Sequence, residues 1–302
     1  MDDHSITLDW PFESARSLDP QQRWFQSESN LCLDFHGDPC RAGLAVFSDG
    51  NHHMALEETL QTFLSYQPDL EDIFYATTPP GVLVELMQHG RLHLGNLTLS
   101  RQPDVFIGPD NILSKMAEEG RVHSPKLFMR SRCNVMLVRK GNPRKISGIH
   151  DLLRSDVRVF ISNPKTEKAS YQVYSETVLN LAVEQGDSHQ FEKLFANELN
   201  NMVYGQRIHH RELPQALAAN RADVAVLYYH LALRYTRIFP DLFEILPLGG
   251  TSDAPAATAA HHLTDYHVAV VNPDNPFVEA LMVHLFSDQT TEIYSRHGLD
   301  RP

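Results

Sequence analysis

Apolar positions along this chain follow two rhythms. Short runs that are apolar nearly throughout, GLAVF (43–47), DIFYA (72–76), DVFIG (104–108), NVMLV (134–138), VRVFI (157–161), DVAVLYY (223–229) and YHVAVV (266–271), read as strands buried on both faces. Between them lie stretches with an apolar residue at every third or fourth position: 54–65, GVLVELMQHG (81–90), ILSKMAEEG (112–120), YQVYSETVLNLAVEQG (171–186), ELPQALAAN (212–220) and a final one over 276–297. This spacing predicts amphipathic helices, three of them stopped by a glycine that suits a left-handed C-terminal cap. Strands alternating with helices give an α/β fold with a parallel or mixed sheet covered on both faces.

The order of the elements adds a division. RSRCNVMLVRKGNP (130–143) separates two groups of strands, and a single late strand precedes the last helix. Such an order suits two lobes joined by two crossing segments and closing over a cleft. Lobe one is expected over 42–133 plus 266–302, and lobe two over 134–265. Residues 1–41 are turn-rich (DDHS, PFES, SLDPQQ, HGDP) and predict an irregular extension, in which FHGDP (35–39) is a turn. The alanine-rich SDAPAATAA (252–260) predicts a loop. With 302 residues and 42% apolar content, the chain has ample material for such a core.

Charge narrows the partners. The 38 acidic and 26 basic residues give a formal net charge of −12, with no Lys/Arg block to neutralise phosphates, so nucleic acid and anionic membrane surfaces are excluded as expected partners. No apolar stretch reaches the length of a spanning helix, so no membrane insertion is expected. MDDHSITLDW lacks the basic start and apolar run of a signal peptide, which leaves a cytoplasmic protein or a periplasmic one whose signal has been removed. Cys32 and Cys40 could close a small loop in an oxidising compartment, leaving Cys133 over; no C-x-x-C motif points to zinc or redox work.

The richest candidate chemistry lies where strand 43–47 turns into a helix through SDGNHH (48–53). First-turn N–H groups point outward from a strand's carboxyl end, where ligands of α/β proteins sit. His52 and His53 are about 100° apart on a helix start, so at most one faces a ligand. Asp49 is expected to bond its own loop backbone. Thr77 and Thr78 either cap the following helix or meet a ligand. His209 and His210 fall just before a helix in which Pro214 marks an early position, and Tyr228 ends a strand. No nucleophile elbow, phosphate-binding loop, dinucleotide fingerprint or H-E-x-x-H helix is present, so an enzyme is not expected.

Five segments, PDVFIGPD (103–110), NVMLVRKGNP (134–143), FISNPKTEKASYQVY (160–174), ADVAVLYY (222–229) and the stretch 267–299, resemble in type and order the solute-binding proteins of ABC importers for molybdate and tungstate. The resemblance covers 42–302 and implies the type II periplasmic-binding fold. It also implies loops that hold a tetrahedral oxyanion through hydroxyls and backbone N–H groups. The family's first serine falls on Asn51 and its second-loop serines on Thr77 and Thr78. A backbone donor falls on Ala169, beside Ser170, five residues after Pro164. A valine is replaced by His210, and the ligand-facing tyrosine falls on Tyr228.

The reading is therefore a monomeric solute-binding protein that clamps a small inorganic ligand between its lobes and serves an ABC importer permease, with no resident cofactor. Asn51, His52, Thr77, Thr78, Ala169, Ser170, His210 and Tyr228 are its expected ligand residues, with a molybdate- or tungstate-type oxyanion as the ligand. The alternative is a transition-metal ion on His52, His53, His210 and His230, since imidazole is a common ligand of zinc, copper and nickel. A cytosolic ligand sensor or an enzyme on the same fold are the remaining readings.

Overall fold

The computed structural model describes Leu8 and residues 35–94, 97–206 and 208–302. They fall into two compact units, one of Leu8 and Ser131–Thr264 and the other of residues 35–130 together with Asp265–Pro302. We call the latter the first unit, because most of its strands come earlier along the chain.

In the first unit β1 (Phe35–His36) precedes β2 (Leu44–Ser48), α1 (His53–Ser65), β3 (Ile73–Ala76) and α2 (Pro80–His89). A hairpin of β4 (Leu92–Leu94) and β5 (Leu97–Leu99) leads to β6 (Val105–Pro109), α3 (Asp110–Glu118) and β7 (His123–Ser131). The second unit runs β8 (Asn134–Arg139), β9 (Val159–Ile161), α4 (Lys168–Glu184), α5 (Ser188–Phe195), β10 (Met202–Tyr204), α6 (His209–Ala218), β11 (Val224–Tyr228), α7 (Tyr229–Ile238) and β12 (Phe243–Pro247). The chain then returns to the first unit with β13 (Asp265–Val270), α8 (Val278–Leu285), α9 (Asp288–Arg296) and β14 (Leu299–Asp300).

Both sheets are mixed. The first has the order β1-β3-β2-β6-β13-β7-β14, with β3, β2 and β6 parallel and β13 antiparallel to both its neighbours. Its apolar runs serve two cores at once. Leu44, Val46, Ile73, Tyr75, Val105 and Ile107 face α1, α8 and α9, whereas Ala45, Phe47, Phe74, Ala76 and Phe106 face α2 and α3. This two-residue alternation between two buried faces is why the strands are apolar throughout. The second sheet has the order β10-β9-β11-β8-β12, with β10, β9 and β11 parallel and β8 antiparallel to β11 and β12. At its β11 entry the buried Asp223 carboxylate accepts hydrogen bonds from Arg158 Nε (2.9 Å) and Arg144 Nε (3.1 Å). Burial alone would raise its pKa; the arginines override this and hold it down at about 2.

Four expectations change. Phe35–His36 is an edge strand antiparallel to β3, so FHGDP is more than a turn; Leu8 is buried with its N–H on Gln215 Oε1, and the other residues before 35, Cys32 with them, lie outside the described residues. Cys40 is exposed. The final helix is two, because the Ser287 side chain accepts the Thr290 N–H and starts α9 afresh. His209 and His210 open α6 instead of preceding it, which puts Pro214 inside the helix. A proline there leaves the carbonyl four residues back, that of His210, without its helical donor, and the Tyr235 hydroxyl donates to it instead. Finally, β7, β10, β12, α5 and α7 and the β4–β5 hairpin went unread in the sequence.

Candidate functional site

In the first unit the parallel strands β3, β2 and β6 end together at Ala76, Ser48 and Pro109. Beyond Ser48, Asp49 accepts the Asn51 N–H on its carboxylate (2.7 Å) and starts a single 3₁₀ turn over Gly50–His52. This is the loop role read from the sequence. Burial pushes the Asp49 pKa up to about 6, against the lowering effect of that hydrogen bond. Gly50 is required here: a Cβ would stand 2.2 Å from the Thr77 carbonyl oxygen, so only glycine lets the loop lie on the residue after β3. Asn51 is half-buried above this contact.

His52 points the other way. Its Nε2 lies 3.2 Å from Ser48 Oγ and its Nδ1 3.1 Å from the Tyr294 hydroxyl, with the ring tilted against Tyr266. Ser48 Oγ donates its own proton to the Asp49 carbonyl, so His52 donates through Nε2 and accepts from Tyr294 through Nδ1. The imidazole is neutral, and burial holds its pKa down to about 3. His52 thus ties the loop to α9 from within the core, with both ring nitrogens engaged by Ser48 and Tyr294. The Ser48–His52 pair has the look of a nucleophile and base, but Ser48 is fully buried and its proton is engaged. His53 is half-buried and donates from Nδ1 to the Gly50 carbonyl (2.9 Å).

Thr77 and Thr78, both buried, follow β3. Neither caps α2, whose N-cap is Pro79 with no side-chain bond. Thr77 Oγ1 lies 3.4 Å from His36 Nε2, while Thr78 Oγ1 is buried with no hydrogen-bond partner. A hydroxyl in that state is costly unless a bound group completes it.

In the second unit β9 and β10 end at Ile161 and Tyr204 and α4 begins at Lys168, placing Ala169 and Ser170 in its first turn. Ser170 Oγ lies 2.9 Å from the fully buried Ser162 Oγ and 3.2 Å from the Glu167 carbonyl. Both Glu167 carboxylate oxygens stand 3.0 Å from the His209 N–H, the first of α6. Burial raises the Glu167 pKa to about 6; the His209 N–H opposes the rise and the Glu212 carboxylate adds to it. The His209 ring stacks on Phe160 and is held neutral, its pKa pushed by burial to about 3. His210, next in the turn, is half-buried. Tyr228 is buried, its hydroxyl 2.7 Å from Thr264 Oγ1 and its ring stacked on the fully buried His230.

The expected residues therefore gather as two sets, one per unit, each at strand carboxyl ends. The metal alternative finds no cluster: among the described residues no three His, Cys, Asp or Glu side chains converge as ion ligands. Glu167 and Ser162, which lie against His209 and Ser170, were not singled out in the sequence. Glu167 was legible only as a lone acid between prolyl turn and helix start, two residues before Ala169.

Residues 44–300 match the family model for bacterial extracellular solute-binding proteins. The chain belongs to that family. Several solved structures share its fold at low identity. The Campylobacter jejuni protein PEB3 with L-phospholactate bound is 17% identical, with a TM-score of 0.60 over 86% of this chain and 100% of that one. The substrate-binding domain of a putative molybdenum ABC transporter from Clostridium difficile is 15% identical (TM-score 0.59, covering 86% and 98%). The periplasmic molybdate-binding protein of Azotobacter vinelandii is 14% identical (TM-score 0.55, covering 86% and 99%). No curated protein sequence matches the chain. The fold is thus the two-lobed type II periplasmic-binding fold of these neighbours. As a solute-binding protein, the chain contains no helix, among the described residues, long and apolar enough to cross a membrane.

Proposed function

We propose that this solute-binding protein captures a small tetrahedral oxyanion, the class to which molybdate and tungstate belong, and delivers it to an ABC importer permease. The observation that carries the reading is Thr78, a buried hydroxyl without a partner at the carboxyl end of β3, beside Thr77 and the Asn51 loop. Hydroxyls and first-turn N–H groups hold an oxyanion by charge-assisted hydrogen bonds. The second unit offers first-turn N–H groups of the same kind, those of Ala169 in α4 and His210 in α6. The molybdate-binding neighbours support the class, and the engagement of both His52 ring nitrogens within the core favours the anion over a metal ion.

Calorimetric titration with phosphate, sulfate, molybdate, tungstate and zinc tests it. One anion binding per chain is expected, weakened about tenfold or more in Thr78→Val, the effect of losing one hydrogen bond to a charged group. Zinc binding without any anion binding would overturn the reading.

A further inference from the structure

Resting on the oxyanion reading, we infer that His36 is a positioning residue for it: the ring Nε2–H donates to the Thr77 hydroxyl and strengthens that hydroxyl as a donor to the anion. His36 comes from a stretch outside the family match, which begins at residue 44, whereas β1 and the turn after it occupy 35–43. The whole arrangement lies within the first unit.

Two residues of strand do not hold themselves on a sheet edge. This segment is fastened along its length instead. Phe35 stacks on Phe74 (ring centroids 6.2 Å apart, planes at 12°) and His36 on Tyr75 (4.4 Å, 13°), with Phe35 opposite Ala76 and His36 opposite Tyr75 in the ladder. Gly37 has a φ of +80°, and a Cβ there would stand 2.3 Å from the Ile73 carbonyl oxygen, so glycine lets the backbone turn directly over β3. The Asp38 N–H donates to Asp72 Oδ2 (2.8 Å) and the Cys40 N–H to Asp38 Oδ1 (2.8 Å). The Ala42 and Gly43 N–H groups donate to the carbonyls of Asp38 (2.9 Å) and Asp72 (3.1 Å). These contacts hold the segment on β3 without any use of His36 Nε2.

That nitrogen lies 3.4 Å from Thr77 Oγ1. Thr77 is therefore set from two sides, its carbonyl by Gly50 of the Asn51 loop and its hydroxyl by His36. A hydroxyl has one proton and two lone pairs, and donation into a lone pair polarises the O–H bond. The effect is largest away from water, and Thr77 is only 4% exposed. An anion gains most from a strengthened donor. The stack on Tyr75 fixes the imidazole plane before any ligand arrives, so little ordering remains to be done on binding.

The test is calorimetric titration of the full chain with sodium molybdate, sulfate and phosphate at about pH 8, where an ordinary imidazole is neutral. The parent is compared with His36→Phe, His36→Gln, Thr77→Val and the double variant His36→Phe, Thr77→Val. Phenylalanine keeps the stack on Tyr75 and removes the nitrogen, so the ligand-free Tm should match the parent's while the affinity for the bound anion falls about fivefold, the worth of one hydrogen bond. Glutamine carries an amide N–H at similar reach and should restore most of that loss. With Thr77 already changed to valine, His36→Phe should cost nothing further, because its effect passes through the hydroxyl. His36→Ala takes its place in the cycle if the phenylalanine variant does not fold. Unchanged affinity in His36→Phe, equal losses in the phenylalanine and glutamine variants, or additive effects in the double variant would each overturn the inference while leaving the oxyanion reading intact. Binding of none of the three anions by the parent would overturn both.

Discussion

Three buried titratable side chains, His52, His209 and Asp49, and the half-buried Glu167 make large contributions to how this protein responds to acid. The two histidines have folded pKa values near 3, below that of a free imidazole, so the unfolded chain takes up their protons first and stability is lost as pH falls from about 6.5 toward 3. The two carboxyls have folded values near 6, above those of free carboxyls, so the folded state takes up their protons first and stability is gained from about 6 down to about 4. Each contributes about 1.4 kcal/mol per pH unit within its window, so two losses and two gains offset between about pH 6 and 4.5. Urea midpoints should be nearly flat over that interval and drop steeply below pH 4. In the double variant Asp49→Asn, Glu167→Gln the decline should begin near pH 6. None of this was legible in the sequence. HH at 52–53 announces two imidazoles but not their direction, which is set by the one-turn 3₁₀ helix before α1; that turn sends His52 into the core and leaves His53 on the Gly50 carbonyl.

At the scale of elements, legibility followed burial. Strands β2, β3, β6, β8 and β11 are apolar throughout because both faces are covered, and their sequences say so. β7, HSPKLFMRS, carries a proline and a lysine on a largely exposed first half, and β10 and β12 are only half-buried, so no apolar run marks them. α6 was misplaced because a proline normally sits in a helix's first turn, whereas here the Tyr235 hydroxyl replaces the donor that Pro214 lacks. Tyr235→Phe should therefore cost about 1–3 kcal/mol by leaving a carbonyl unsatisfied. Pro214→Ala, which restores an N–H four residues after His210, should recover part of that loss. A double-mutant cycle by urea unfolding checks the coupling, and strictly additive effects would contradict it. The other local test is Asp223→Ala, which removes the carboxylate that holds Arg144 and Arg158. Because both arginines are half-exposed and can turn to solvent, the loss should be about 1–3 kcal/mol, that of the hydrogen bonds to the carboxylate, readable as a lowered urea midpoint.

For the whole molecule, two-lobe architecture and family membership were readable from the order of strands and from five weak motifs in sequence; the ligand was not, because the groups that select it belong to turns. Ligand at 100 times its Kd should stabilise the chain by about 2.7 kcal/mol, seen as a rise in Tm that grows with concentration. The first unit has one further property. Its central strand β13 lies between β6 and β7 but is encoded after the entire second unit. A chain emerging from a ribosome, or threading through a membrane pore, therefore presents 35–130 long before the strand that completes its sheet. The second unit is contiguous and can close as it appears; the first must stay open, with the edges of β6 and β7 exposed, until the last forty or so residues arrive. Chaperone dependence and aggregation should accordingly concentrate in the N-terminal third. Nascent-chain proteolysis at successive lengths would reveal it as protection of 131–264 before any protection of 35–130.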